Sequence, residues 1–172
     1  KSDNVGVHIS LANTLHELGQ LDAAVKSYVQ ALVIKPSFAE VYYNLGITLQ
    51  ELGQLNAAVK SYKQALAIKP DYANAHYNLG NTLKKIGQLD AAIKSYEQAL
   101  AIKPDYAEAW KNVFFTAQAL NLSTTQDTWL ESYKKNLNAA VLKSIHFKIL
   151  EYRLNAFTPH TVDGFFDQAR HY

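Results

Sequence analysis

The chain has no cysteine in its 172 residues, which excludes a disulfide framework, thiolate metal ligands and a cysteine nucleophile. That suits a cytoplasmic protein without excluding an extracytoplasmic one. Neither sign of charge dominates: 17 basic against 15 acidic residues leave a net +2. This excludes a basic arm for nucleic acid and an acidic tail. No apolar run approaches the roughly 18 residues of a membrane span, and Lys1-Ser2-Asp3-Asn4 lacks the pattern of a signal peptide. Neither a nucleic-acid partner nor a membrane is therefore expected. Methionine is missing too, even at position 1, which implies a fragment or a processed product. What the chain does have is apolar material, 48% of residues against 19% charged, enough for a packed core.

The apolar residues recur with a long period. Pro36, Pro70 and Pro104 are 34 residues apart, as are Gly19, Gly53 and Gly87, Ala24, Ala58 and Ala92, and Tyr28, Tyr62 and Tyr96. Residues 39–72 and 73–106 are identical at 24 of 34 positions. Residues 5–38 follow the pattern more loosely, and 107–120 begin a fourth copy and then leave it. Within a copy the period is helical: Val41, Tyr42, Leu45, Leu49 and Leu52 form one amphipathic stripe. Gly53-Gln54 interrupts it, and Leu55, Ala58, Val59, Tyr62, Ala65 and Leu66 form the next. Lys69-Pro70 ends that one, because proline cannot continue a helix. Ala58 and Ala65 offer a small-residue face for close approach of a neighbour. Gly46 and Gly80, which cost about 1 kcal/mol each in helix propensity, are expected to serve the same end. One such helix pair cannot bury both stripes, so the units must stack.

The pattern resembles the tetratricopeptide repeat. The residues that carry the likeness are Tyr42, Leu45-Gly46, Leu49, Ala58, Tyr62, Ala65 and Pro70. They return as His76, Leu79-Gly80, Leu83, Ala92, Tyr96, Ala99 and Pro104. The first copy has His8, Leu11-Ala12, Leu15, Ala24, Tyr28, Ala31 and Pro36, with alanine in place of the glycine. In the fourth, Trp110 and Val113 fit, whereas Phe114 stands where a small residue belongs. The resemblance covers about two thirds of the chain and implies an all-α fold. The expected architecture is a right-handed superhelical α-α solenoid of helix-turn-helix repeats, at about 5–38, 39–72, 73–106 and a partial 107–120. Residues 121–172 are expected to form an irregular helical C-terminal segment. It carries stripes at Trp129, Leu130, Tyr133 and Leu137 and along Ala139 to Phe157, and would cap the last repeat or link to a further domain.

Chemistry is sparse. There is no nucleophile elbow, phosphate-cradling glycine loop or metal-binding histidine pair. His8 and His76 occupy an aromatic slot of the repeat, and His16, His146, His160 and His171 share no ligand spacing. Glu40 with Glu51, and Asp105 with Glu108, read as helix-surface and cap charges. Tyr28, Tyr62 and Tyr96 read as core and Lys84-Lys85 and Lys134-Lys135 as solvated faces. No enzyme activity, cofactor or metal is expected.

The positions that packing does not explain lie on the first helix of each repeat, where stacked pairs form a concave surface. They are Tyr43, Asn44, Ile47 and Gln50, then Tyr77, Asn78, Asn81 and Lys84, then Lys111, Asn112 and Phe115. Asn44, Asn78 and Asn112 form a row 34 residues apart, with Ser10 in that place in the first copy. Asparagine is a poor mid-helix residue. Its amide both donates and accepts, which suits an extended peptide main chain. Similar rows line the repeat arrays of some glycosyltransferases. The alternative is that these amides make interhelical hydrogen bonds or simply reflect duplication. Some family members clamp a C-terminal carboxylate with basic residues and asparagines. Here Asn13 and Asn44 match, but Ile9, Asn74 and Asn78 stand where the basic residues belong, so no chaperone-tail clamp is expected. The expected function is a non-catalytic module that binds a protein or peptide in the groove. Two rivals are a targeting domain of a larger glycosyltransferase or sulfotransferase, and a scaffold that self-assembles through its array ends.

Overall fold

The computed structural model describes residues 3–119, and the expectations for 121–172 lie outside the described residues. Those described form seven helices and no strand. They are α1 (Asp3–Glu17), α2 (Leu21–Ile34), α3 (Ala39–Glu51), α4 (Leu55–Ile68), α5 (Ala73–Ile86), α6 (Leu89–Ile102) and α7 (Ala107–Ala119). Each helix packs chiefly on its neighbours in sequence, so the architecture is an all-α solenoid. No described helix is long and apolar enough to cross a membrane.

Each glycine turn reverses the chain by one device. Gly19, Gly53 and Gly87 have φ of 73°, 74° and 86°, the left-handed region that a Cβ disfavours. The following glutamine N–H then reaches back six residues: Gln20, Gln54 and Gln88 donate to the carbonyls of Leu15, Leu49 and Leu83 at 2.8, 2.8 and 2.9 Å. The glycine N–H closes the inner bond, to His16, Gln50 and Lys84. This is the Schellman cap, which satisfies carbonyls orphaned by the helix end.

Inside a pair the approach is closer than ordinary side chains permit. A Cβ built on Gly46 would lie 2.6 Å from Cε1 of Tyr62, and one on Gly80 would lie 2.5 Å from Cε1 of Tyr96. The tyrosine rings thus sit directly on bare backbone, and both residues are fully buried. Ala58, Ala65, Ala92 and Ala99 flank them with no exposed surface.

Between pairs, Val41, Leu45 and Leu49 of α3 and Leu79 and Leu83 of α5 are buried in one continuous core with Trp110 and Val113. The proline turns fix the stacking. Lys35, Lys69 and Lys103 lie 4.4, 5.0 and 4.9 Å from the ring centres of Phe38, Tyr72 and Tyr106. Trp110 Nε1 donates to the Pro104 carbonyl at 2.8 Å. His76, 34 residues earlier, places Nε2 2.9 Å from the Pro70 carbonyl; a carbonyl only accepts, so that nitrogen carries the proton. This anchors the His76 ring at the proline turn, as its place in the aromatic slot implied.

Gly46→Ala or Gly80→Ala adds helix propensity worth about 1 kcal/mol but forces the ring away, at a cost of about 1–3 kcal/mol. A net loss on the order of 1 kcal/mol is expected in urea denaturation. Gly6, with nothing within 4 Å of an added Cβ, is the control: Gly6→Ala should stabilise.

Candidate functional site

The first helices α3, α5 and α7 run side by side, and polar side chains join them across their shared face. Asn78 Nδ2 donates to the Tyr43 hydroxyl at 3.0 Å, and Asn112 Nδ2 donates to the Tyr77 hydroxyl at 3.2 Å. Asn112 Nδ2 also meets Asn81 Oδ1 at 2.9 Å, and that oxygen accepts the Tyr96 hydroxyl at 2.8 Å. Gln50 Oε1 lies 2.6 Å from the Thr82 hydroxyl, which donates to the Asn78 backbone carbonyl at 2.8 Å. Two members of the asparagine row therefore bind the preceding repeat.

Asn44 differs because of one substitution. The residue 35 positions before each asparagine is Tyr43 for Asn78 and Tyr77 for Asn112, but Ile9 for Asn44. Ile9 has no hydroxyl, and no side-chain hydrogen bond engages the half-buried Asn44 amide. Its backbone carbonyl accepts from Thr48 at 2.9 Å, as that of Asn112 does from Thr116 at 2.6 Å. These threonines are wholly buried and fix the helix turn that carries each asparagine.

The groove tyrosines are held between rings. Tyr43 lies 6.1 Å from Tyr62 and 4.8 Å from Tyr72, and Tyr77 lies 5.9 Å from Tyr96 and 4.7 Å from Tyr106. Burial pushes the Tyr62 and Tyr96 hydroxyls well above the usual tyrosine range, with nearby Tyr43 and Tyr77 adding to it. Tyr72 and Tyr106 are pushed up to about 12 by burial first and by Tyr43 and Tyr77 next. Of the remaining expected positions, Ile47 packs against the core and Lys84 is half-buried in the last turn of α5. Phe115 packs edge-on to Phe114 at 5.5 Å, and Lys111 is exposed.

Sequence reasoning placed Tyr28, Tyr62 and Tyr96 in the core, and their rings are there. It missed that the hydroxyls reach the polar face. Tyr28 donates to Asn13 Oδ1 at 2.6 Å just as Tyr96 does to Asn81. Position 47 is the equivalent acceptor slot in the second repeat, and Ile47 cannot accept, so Tyr62 turns to Gln50 at 3.5 Å. The supporting rings Tyr72 and Tyr106 were also missed; the signal was their own 34-residue spacing beside Lys-Pro. Among the described residues no three acidic, histidine or cysteine side chains gather as a metal set would.

Comparison with known families agrees with this geometry. A TPR repeat model matches residues 12–53 and 48–87, and a tetratricopeptide repeat model matches 73–106. The chain belongs to the tetratricopeptide-repeat family. No curated protein sequence matches it significantly. Among solved structures, this tetratricopeptide-repeat chain is similar to MamA, at 27% identity and a TM-score of 0.73, over 87% of this chain and 82% of that one. The first TPR of Spaghetti (RPAP3), bound to the HSP90 peptide SRMEEVD, shares the fold at 23% identity and a TM-score of 0.68, over 70% of this chain and 96% of that one. An O-GlcNAc transferase mutant from Thermobaculum terrenum matches at 29% identity and a TM-score of 0.61, over 67% of this chain but 22% of the enzyme.

The three asparagines should separate in stability. Asn112→Ala removes two contacts and should lower stability by about 1 kcal/mol, with Asn78→Ala somewhat milder. Asn44→Ala loses no bond and gains helix propensity, so its melting temperature should hold or rise. The buried hydroxyls add a pH dependence. A tyrosine whose folded-state pKa exceeds its unfolded value near 10 favours the fold fully below that value, and loses this contribution as pH climbs through the folded pKa. Melting temperature should therefore fall between about pH 10 and 12, with the tyrosinate absorbance of this set rising as helix is lost.

Proposed function

We propose that the chain is a non-catalytic interaction module that holds an extended segment of a partner protein along the face shared by α3, α5 and α7. The observation that carries this reading is the Asn44 amide, half-buried on that face with its donor and acceptor uncommitted, beside a row in which Asn78 and Asn112 are already engaged. An extended main chain offers an N–H and a C=O at regular spacing, and a rigid side-chain amide pairs with both. The caged tyrosines support it, because a groove fixed before binding loses little entropy on association. RPAP3, which holds the acidic peptide SRMEEVD, supplies a precedent for peptide binding on this fold. The absence of basic residues at positions 9, 74 and 78 argues that the ligand here is not a carboxylate-terminated tail.

A second reading rests on the Thermobaculum terrenum match: the array would be a substrate-targeting portion of a larger transferase. Both readings use the same groove, and they differ in what lies outside it.

Selection of displayed peptides against the chain, followed by NMR mapping, tests the groove. Shifts should fall on α3, α5 and α7, and Asn44→Ala should weaken the selected peptides about fivefold, the effect of one lost contact of about 1 kcal/mol. Peptides that bind Asn44→Ala unchanged, or that map to α2, α4 and α6, would overturn the proposal.

A further inference from the structure

The repeat symmetry identifies a face that is buried everywhere except at one end of the described array. On α1 the stripe Val7, Leu11, Thr14 and Leu18 points outward, with Val7, Leu11 and Leu18 exposed by 62, 48 and 66%. Moved along the chain by 34 and then 68 residues, the first three positions become Val41 and Ala75, Leu45 and Leu79, and Thr48 and Thr82, none more than 6% exposed. In those repeats the preceding helix pair covers them. The α1 stripe is therefore the continuation of the inter-repeat interface, with the same side-chain chemistry and nothing among the described residues upon it. A contiguous apolar stripe of this kind marks a docking surface rather than scattered surface residues.

We propose that a second copy of the chain covers this face, in a symmetric dimer whose two α1 helices run antiparallel. The stripe is spaced 4, 3 and 4 residues, so it reads the same about a point between Ala12 and Asn13. A two-fold axis there sets Val7 against Leu18 of the other copy and Leu11 against Thr14, the alternating layers of an antiparallel helical seam. α1 carries no lysine or arginine, so no long cationic side chain projects into that seam. The isologous arrangement closes with the described residues alone. A head-to-tail contact would instead generate open filaments. The seam covers about three helical turns on each copy, small for a permanent dimer, so association should need concentrations on the order of tens of micromolar. The dimer is independent of peptide binding in the groove, and its failure would leave that reading untouched.

Sedimentation equilibrium of the 172-residue chain from 1 to several hundred micromolar, about two decades around the expected midpoint, reads the assembly directly. The mass should rise from 19.3 kDa toward twice that value. Leu11→Glu and Leu18→Lys should each hold the chain at the monomer mass with unchanged helical circular dichroism. Val33→Glu, on the exposed face of α2, should dimerise as the parent does. The chain has no cysteine of its own. Oxidising a mixture of Val7→Cys and Leu18→Cys chains should therefore link the two, whereas either alone should stay largely unlinked. A parent that stays monomeric, association that survives Leu11→Glu, growth beyond the dimer, or preferential linking of Val7→Cys to itself would each overturn the proposal.

Discussion

The contact on which the rest of the array depends is a tyrosine ring lying against a glycine backbone. Tyr62 on Gly46 and Tyr96 on Gly80 set how closely the two helices of a repeat approach, because no Cβ fits between them. The ring fills the interior with apolar surface and its hydroxyl emerges on the polar side. One residue thus contributes to the core and to the groove. The first copy shows how far the rule bends. Ala12 replaces the glycine there, yet Tyr28 remains buried and its hydroxyl still reaches Asn13.

From that spacing follows a groove wall that is rigid before any ligand arrives. Tyr43 and Tyr77 cannot swing freely, since each is packed between a core tyrosine and a turn tyrosine and accepts a hydrogen bond from the next repeat. The lysines stacked on Tyr72 and Tyr106 extend the support into the proline turns. In an array where each unit touches only its neighbours, such bonds couple repeats that would otherwise be joined by apolar contact alone. Specificity and stability are thus mixed in the same side chains, and Asn44 escapes because Ile9 offers it no partner.

Much of this was legible in the sequence. Helix bounds followed from apolar stripes, glycine and proline, and the close-packing role of Gly46 and Gly80 followed from their cost in a helix interior. The row Asn44, Asn78 and Asn112 was visible as a 34-residue spacing, but the spacing implied equivalence. It could not say that two amides bind tyrosine hydroxyls of the preceding repeat. That depends on residues 35 positions earlier being brought within 3.0 and 3.2 Å by stacking.

The sequence by itself determined the repeating unit, because periodicity, helix stops and close-approach residues are local physical requirements written at fixed intervals. The tertiary structure alone decided which equivalent positions differ in use. Val7 has the chemistry of Val41 and lies on the same helical face, yet one is exposed and the other buried. Burial is a property of what stacks on a residue, and a stripe of apolar positions carries no record of its neighbour. Likewise an asparagine side chain is the same everywhere in the chain, and only the residue placed across from it settles whether its amide is bound or open.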